Sequence, residues 1–121
     1  MDALVKIFSA LSDPARLEIL KILEARKSCC VCELTDVLGL SQPNISHHMR
    51  VLKEAGLIDG EKDGLWINYR LASSGDDPGG YVRPVLKFIS GLLNDDPEIS
   101  RRIKKLRRIS RRKSSVMCKG K

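Results

Sequence analysis

Nowhere in the 121 residues does an uninterrupted apolar run approach the ~20 positions that a membrane-spanning helix needs, which excludes such a helix. The opening residues, Met1-Asp2-Ala3-Leu4-Val5-Lys6, carry neither a basic leader nor an apolar segment long enough for a signal peptide, so the expected compartment is the cytoplasm. There is no internal repeat. No cofactor loop or acid/base pair accompanies the few nucleophilic side chains, which argues against an enzyme such as a thiol-dependent reductase. Cysteine is scarce: Cys29, Cys30, Cys32 and Cys118 are the whole complement, and three of them fall within four residues. Adjacent cysteines make poor staples between distant segments. A disulfide scaffold is therefore not expected, and in a reducing cytosol the cluster points to metal binding or redox sensing.

What is present is a chain of ordinary apolar content, 42%, and of uneven charge. The net charge is +7, but residues 97–121 hold eleven Lys/Arg and one acid, while residues 1–96 hold eleven Lys/Arg against fourteen acids. A mildly acidic body thus carries a polycationic end. Such an end suits a polyanion, nucleic acid ahead of lipid; a solvated tail that aids solubility is the plain alternative. The length allows one compact domain with a modest core.

Apolar spacing predicts the elements. Leu4, Ile7, Phe8 and Leu11 place a helix over 3–11. Ser12-Asp13-Pro14 supplies a cap and a first-turn proline for a second helix running to about Arg26. A short helix over 33–38 is closed by Gly39. Ser41 then caps a helix over 42–55 whose buried stripe is Ile45, Met49 and Leu52. Period two takes over in 57–71, where Leu65, Ile67, Tyr69 and Leu71 alternate with Trp66, Asn68 and Arg70; Asp63-Gly64 marks the hairpin turn. A loop over 73–80 leads to an apolar helix over 81–94. A basic helix over 98–113 follows the break at Asp95-Asp96-Pro97, and 114–121 is expected to be disordered. The expected fold is mainly α with a two-stranded β-wing. Residues 1–94 are the winged helix-turn-helix domain with its dimerisation helices, and 95–121 the basic C-terminal helix and tail. The stripe over 81–94 is too apolar to face water, and pairing with a second copy through 3–11 and 81–94 covers it.

Two helices joined by Gly39-Leu40-Ser41 fit a helix-turn-helix, and the ribbon behind them strengthens the reading. Rotation by 100° per residue exposes the first turns of the second helix. Ser41, Gln42, Asn44, Ser46 and His47 are then placed for base edges in a major groove, Gln and Asn suiting adenine. Arg50 is expected on a phosphate, with Lys62 at the hairpin tip and Arg70 on its strand along an adjacent backbone or minor groove. His48 lies nearer the buried stripe and reads as a satisfied core histidine.

Cys30 and Cys32 sit immediately before the first helix of this pair, where peptide N–H groups favour thiolate. Within a helix, i and i+2 face apart; at an extended or half-unwound start their sulfurs converge. Soft thiolates select soft or borderline ions. Three sulfurs suit As(III) or Sb(III), with Cys29 or Cys118 as candidates for the third. Buried free cysteine and a redox pair are the alternatives.

Together, Leu11-Ser12-Asp13-Pro14-Ala15-Arg16-Leu17-Glu18-Ile19-Leu20, Cys30-Val31-Cys32-Glu33-Leu34, Leu40-Ser41-Gln42-Pro43-Asn44-Ile45-Ser46-His47-His48-Met49 and Gly64-Leu65-Trp66-Ile67-Asn68-Tyr69-Arg70-Leu71 resemble the arsenical-resistance repressor (ArsR/SmtB) family over residues 3–93. The resemblance implies a homodimer on double-stranded operator DNA, released when an ion binds. Cys30 and Cys32 stand as the thiol ligands and Gln42, Asn44, Ser46 and His47 as base readers. A third cysteine later in the same helix, present in relatives of the arsenic type, is missing here. The zinc site that some relatives build on dimer helices has no histidine in 81–94, and residues 1–28 lack the N-terminal cysteines of cadmium and lead sensors. The expected inducer is As(III) or Sb(III). Cd(II), Pb(II) or Zn(II) sensing through the same thiols, a redox switch, and a non-specific architectural binder driven by the tail are the competitors.

Overall fold

The computed structural model describes residues 1–73 and 77–112, and side chains as far as 109. The expected disorder over 114–121 and the candidate ligand Cys118 lie outside the described residues. No helix among the described residues is long and apolar enough to cross a membrane.

Helix α1 (Asp2–Leu11) stops at Ser12, and α2 (Pro14–Arg26) restarts at once. The restart is local chemistry: Asp13 Oδ1 accepts from the N–H groups of Ala15 at 2.8 Å and Arg16 at 3.3 Å, and Pro14 needs no partner in the first turn. α2 is the central helix, with Ile19, Leu20, Ile22 and Leu23 all buried. Strand β1 (Cys29–Cys30) and helix α3 (Val31–Leu38) follow. Gly39 ends α3 at φ 70, a left-handed conformation that costs glycine nothing. Helix α4 (Gln42–Glu54) buries Ile45, Met49 and Leu52, the expected stripe.

Strands β2 (Ile58–Asp63) and β3 (Trp66–Leu71) form the wing, antiparallel, with Asp63 opposite Trp66. The hairpin loop is therefore Gly64-Leu65, and Gly64 supplies φ 65 at its first position. Leu65, expected on the strand, stands exposed at the tip. The ribbon is not limited to two strands. β1 pairs with the free edge of β3, Cys29 opposite Tyr69 and Cys30 opposite Asn68, giving the order β1-β3-β2. An open edge of unpaired N–H and C=O groups is what this short strand satisfies.

After a single 3-10 turn at 78–80, helix α5 (Val82–Ser90) is shorter than the expected 81–94. Lys21, buried on α2, meets the end of this helix. Its Nζ donates to Ile89 O at 3.2 Å, to Asn94 Oδ1 at 2.9 Å and to Glu24 Oε1 at 2.7 Å. The left-handed Leu93 turns the chain, and the Lys21 cation suits the negative end of the helix.

Helix α6 (Pro97–Arg112) packs back on α2 and α3. Leu106 is 0% exposed and Ile99 is buried, so the helix that the sequence sets apart as a basic segment completes the core. Arg102 bridges the seam. It pairs with Glu18 at 2.6 Å and Glu98 at 3.1 Å, and its Nη1 donates to Val37 O at 2.9 Å. Lys105 Nζ reaches Asp36 O at 3.3 Å. Both cations sit at the carboxyl end of α3, where the helix dipole is negative.

Candidate nucleic-acid interface and thiol centre

The sequence places α3, Gly39-Leu40-Ser41 and α4 as a helix-turn-helix, and the structure brings them together so. Ser41 Oγ accepts the Asn44 N–H at 3.3 Å, starting α4 where the polar residues begin. Ser41, Gln42, Asn44, Ser46, His47 and Arg50 are all exposed along one side of this helix. Arg50 Nη2 donates to His47 Nδ1 at 3.3 Å. A guanidinium only donates, so the proton of neutral His47 sits on Nε2, the outer nitrogen.

His48 faces inward, half-buried. Arg16 Nη1 donates to its Nδ1 at 3.1 Å, while Arg16 Nε donates to Ala10 O at 2.7 Å and Nη2 to Ser9 O at 3.4 Å. One arginine thus ties the end of α1, the start of α2 and the middle of α4. Burial lowers the His48 pKa below its usual 6.5; Asp13 opposes this, and Arg16 and His47 add to it. The neutral ring is the one that accepts from Arg16. The role of Arg16 is invisible in the sequence, because its side-chain contacts lie in two other helices.

On the wing, Lys62 is exposed on β2 and Arg70 on β3. Arg70 Nη1 lies 3.1 Å from Glu61 Oε1, and both side chains are open to solvent. Asp59, Glu61 and Asp63 outnumber the two cations, so the wing carries less positive charge than Lys62 and Arg70 alone suggest.

The three clustered cysteines are all buried, at 1% for Cys29, 3% for Cys30 and 6% for Cys32, but not in one place. Strand alternation sends Cys29 into the main core, while Cys30 and Cys32 form a separate cluster against Trp66 of β3. Burial, with the Glu33 carboxylate second, pushes the Cys29 thiol up to about 12, so it stays protonated at neutral pH. Cys30, extended at φ −96 and ψ 167, is the N-cap of α3. This is why the helix begins at Val31 and not at the expected residue 33. Glu33 Oε1 accepts the Cys30 N–H at 3.0 Å in a capping box, and Arg26 lies 3.6 Å from the other Glu33 oxygen. Sequence reasoning passed over Glu33, although an acid three residues after a cap is a known signature. Among the described residues, no three His, Cys, Asp or Glu side chains gather to hold a metal ion. The donor set offered is a pair of sulfurs at a helix start.

Comparison with known proteins gives this arrangement its family. Residues 13–59 match the model for bacterial regulatory proteins of the arsR family. The chain is 41% identical over 87 residues to an uncharacterised HTH-type transcriptional regulator, MJ1325, of Methanocaldococcus jannaschii, covering 72% of this chain and 91% of that protein. It is 41% identical over 68 residues to the arsenical resistance operon repressor of Escherichia coli, covering 56% of this chain and 58% of the repressor. The chain thus spans less than two thirds of that repressor's length. Among solved structures, HlyU from Vibrio cholerae superposes with a TM-score of 0.59 at 27% identity, over 75% of this chain and 91% of that one. The reading helix, the wing behind it and these likenesses agree: the chain belongs to the arsR family of regulatory proteins, winged helix-turn-helix DNA-binding transcriptional regulators and not enzymes.

Proposed function

We propose that the chain is a homodimeric repressor that holds operator DNA through α4 and releases it when As(III) or Sb(III) is taken by Cys30 and Cys32. The observation that carries this reading is the pairing of those two sulfurs beneath Trp66 at the first turn of α3, apart from Cys29. Their chemistry fits a thiophilic ion, which supplies bonds to sulfur when bound. A pyramidal three-sulfur site needs one donor more than the pair; Cys29 faces the wrong way for it, and Cys118 lies outside the described residues.

Cys30 both carries a sulfur and caps α3, so drawing its side chain out of place disturbs the capping box with Glu33. α3 packs on α4, and a shift at the start of one re-aims the other. Gln42, Asn44, Ser46 and His47 read bases from the exposed side of α4, and Arg50 holds a phosphate. Lys62 and Arg70 meet the backbone from the wing. Arg70 leaves Glu61 at little cost, because an exposed ion pair contributes only ~0–1 kcal/mol. Val5 and Phe8 on α1, with Phe88, Leu92 and Leu93 at the end of α5, are exposed apolar groups that a second copy covers. In this reading residues 1–94 read and pair, and α6 braces them.

The test is fluorescence anisotropy of a labelled duplex selected by the protein from a random pool, titrated with arsenite, antimonite, cadmium and zinc. Arsenite or antimonite weakens binding ~5–150-fold, the usual size of a coupling between sites. Cys30→Ser and Cys32→Ser keep the duplex and lose the response. Release of the serine variants at the parent's ion dose refutes the mechanism. Response to cadmium or zinc alone moves the ion assignment, and release by peroxide in metal-free buffer makes the switch a redox one.

A further inference from the structure

The reading surface is short of positive charge. Binding to a duplex draws much of its strength from cations that displace counterions from phosphates. Yet residues 1–96 carry more acids than bases. The exposed side of α4 offers Arg50 and Lys53 against Glu54, and the wing has three acids for its two cations.

The missing charge is on α6. Arg101, Lys104, Lys105, Arg107 and Arg108 are exposed; all but Arg107 follow the i, i+3, i+4, i+7 spacing of one helical stripe, and Arg107, three residues after Lys104, borders the same face. Of these, Arg101 is paired with Glu98 at 2.9 Å, and Glu98 is the one acid in 97–121. The opposite face, with Ile99, Ile103 and Leu106, is packed into the core. The stripe is therefore held in place by buried groups and by Arg102, and does not wave on a loose tail. Lys105 and Arg102 touch the backbone of Asp36 and Val37, near the end of α3 and the turn into α4. The stripe thus lies beside the turn that delivers Ser41 and Gln42.

Resting on the DNA-binding reading above, we infer that the outer face of α6 is a second DNA contact, gripping the phosphodiester backbone of duplex that flanks the site read by α4. From residue 101 to 108 the stripe runs about 10 Å at 1.5 Å per residue. That is the axial reach of about three successive phosphates of one strand, at ~3.4 Å each. Contacts of this kind position the protein and carry no sequence information.

The full chain and a triple variant, Lys104→Gln/Arg107→Gln/Arg108→Gln, test it on the pool-selected duplex, trimmed to the selected core or carrying 6 or 12 added base pairs on each side. None of the three side chains takes part in the packing described above, and matched thermal melts check the fold. The parent gains affinity as flanks are added, and the triple variant gains little. The slope of log affinity against log salt on the long duplex falls by about 2.7 per protomer, at ~0.9 for each phosphate no longer neutralised. Equal slopes and equal flank dependence for the two proteins overturn the inference. So does capture of the parent, but not the variant, by phosphatidylserine vesicles with DNA slopes unchanged, which would make lipid the partner. A parent that selects no duplex at all defeats the DNA-binding reading itself, a separate outcome. Should the triple variant melt early, Lys104→Gln alone, with an expected slope change of about 0.9, decides the same question.

Discussion

Replacing Leu106 by alanine asks whether α6 belongs to the core or merely follows it. The side chain is 0% exposed, among the fully buried groups of the large apolar cluster. Truncating a leucine so placed costs about 2.7–5 kcal/mol, the lost transfer energy plus the cavity left behind. For the roughly 110 described residues at ~2.1 cal/mol/K each, the entropy of unfolding is roughly 0.23 kcal/mol/K. A loss of ~3 kcal/mol then lowers Tm by about 13 °C. Had α6 been a solvated arm, the same change would fall within ~0.5 kcal/mol, or about 2 °C. The assay is far-UV circular dichroism on heating, at matched protein concentration because association shifts Tm. A fall of about 2 °C or less, or a parent in which α6 melts in a separate early transition, refutes the packing argument.

Other expectations are as direct. Trp66 is the sole tryptophan and lies against Cys30 and Cys32, so arsenite changes its emission in the parent and in Cys29→Ala but not in Cys30→Ser/Cys32→Ser; a parent with unchanged emission contradicts the site. His48 has a folded pKa below 6.5, so the unfolded chain binds its proton first as pH falls. Its contribution is fully present above pH 6.5 and is lost as pH drops through the lowered folded value; urea unfolding of the parent shows this slope and His48→Gln does not. Phe8→Glu or Phe88→Glu puts charge on the uncovered apolar faces, so on the proposed pairing sedimentation reports a dimer for the parent and a monomer for either variant; a parent that sediments as a monomer refutes the pairing. Asn44→Ala relaxes base preference at one position by about 1–3 kcal/mol, measured by competition between duplexes differing at single base pairs.

The parts legible in the sequence are those whose instructions are local. Gly39, Ser41 and Pro43 bound α4 within a few residues of one another, and the buried stripe Ile45, Met49, Leu52 needs only the helical period. Asp63-Gly64 marks the hairpin, and the structure moves the loop by a single residue. The missed parts depend on partners far along the chain. β1 exists because β3 has an edge to fill, which no pattern in Cys29-Cys30 announces. The end of α5 at Ser90 is met by Lys21, on another helix, which reaches the Ile89 carbonyl. The amphipathic pattern of α6 is readable, but its seat on α2 and α3 is not, since Glu18 and Val37 are distant from Arg102 in the chain. For the candidate site the division is the same. The exposure of Gln42, Asn44, Ser46 and His47 follows from rotation about one helix axis, whereas the separation of Cys29 from its neighbours requires the register of a sheet.

That register has a consequence for how the chain tolerates change. Because a strand sends consecutive side chains to opposite faces, two adjacent and identical letters do opposite jobs: one sulfur is filler in the interior, and the next looks out beneath an indole. Losing one residue from the link that follows α2 would slip the strand, exchange the two, and put every later side chain of the link on the wrong face. A substitution at Cys29 is therefore answered by the main core, whereas one at Cys30 or Cys32 is answered by Trp66 and, at Cys30, by the cap of α3.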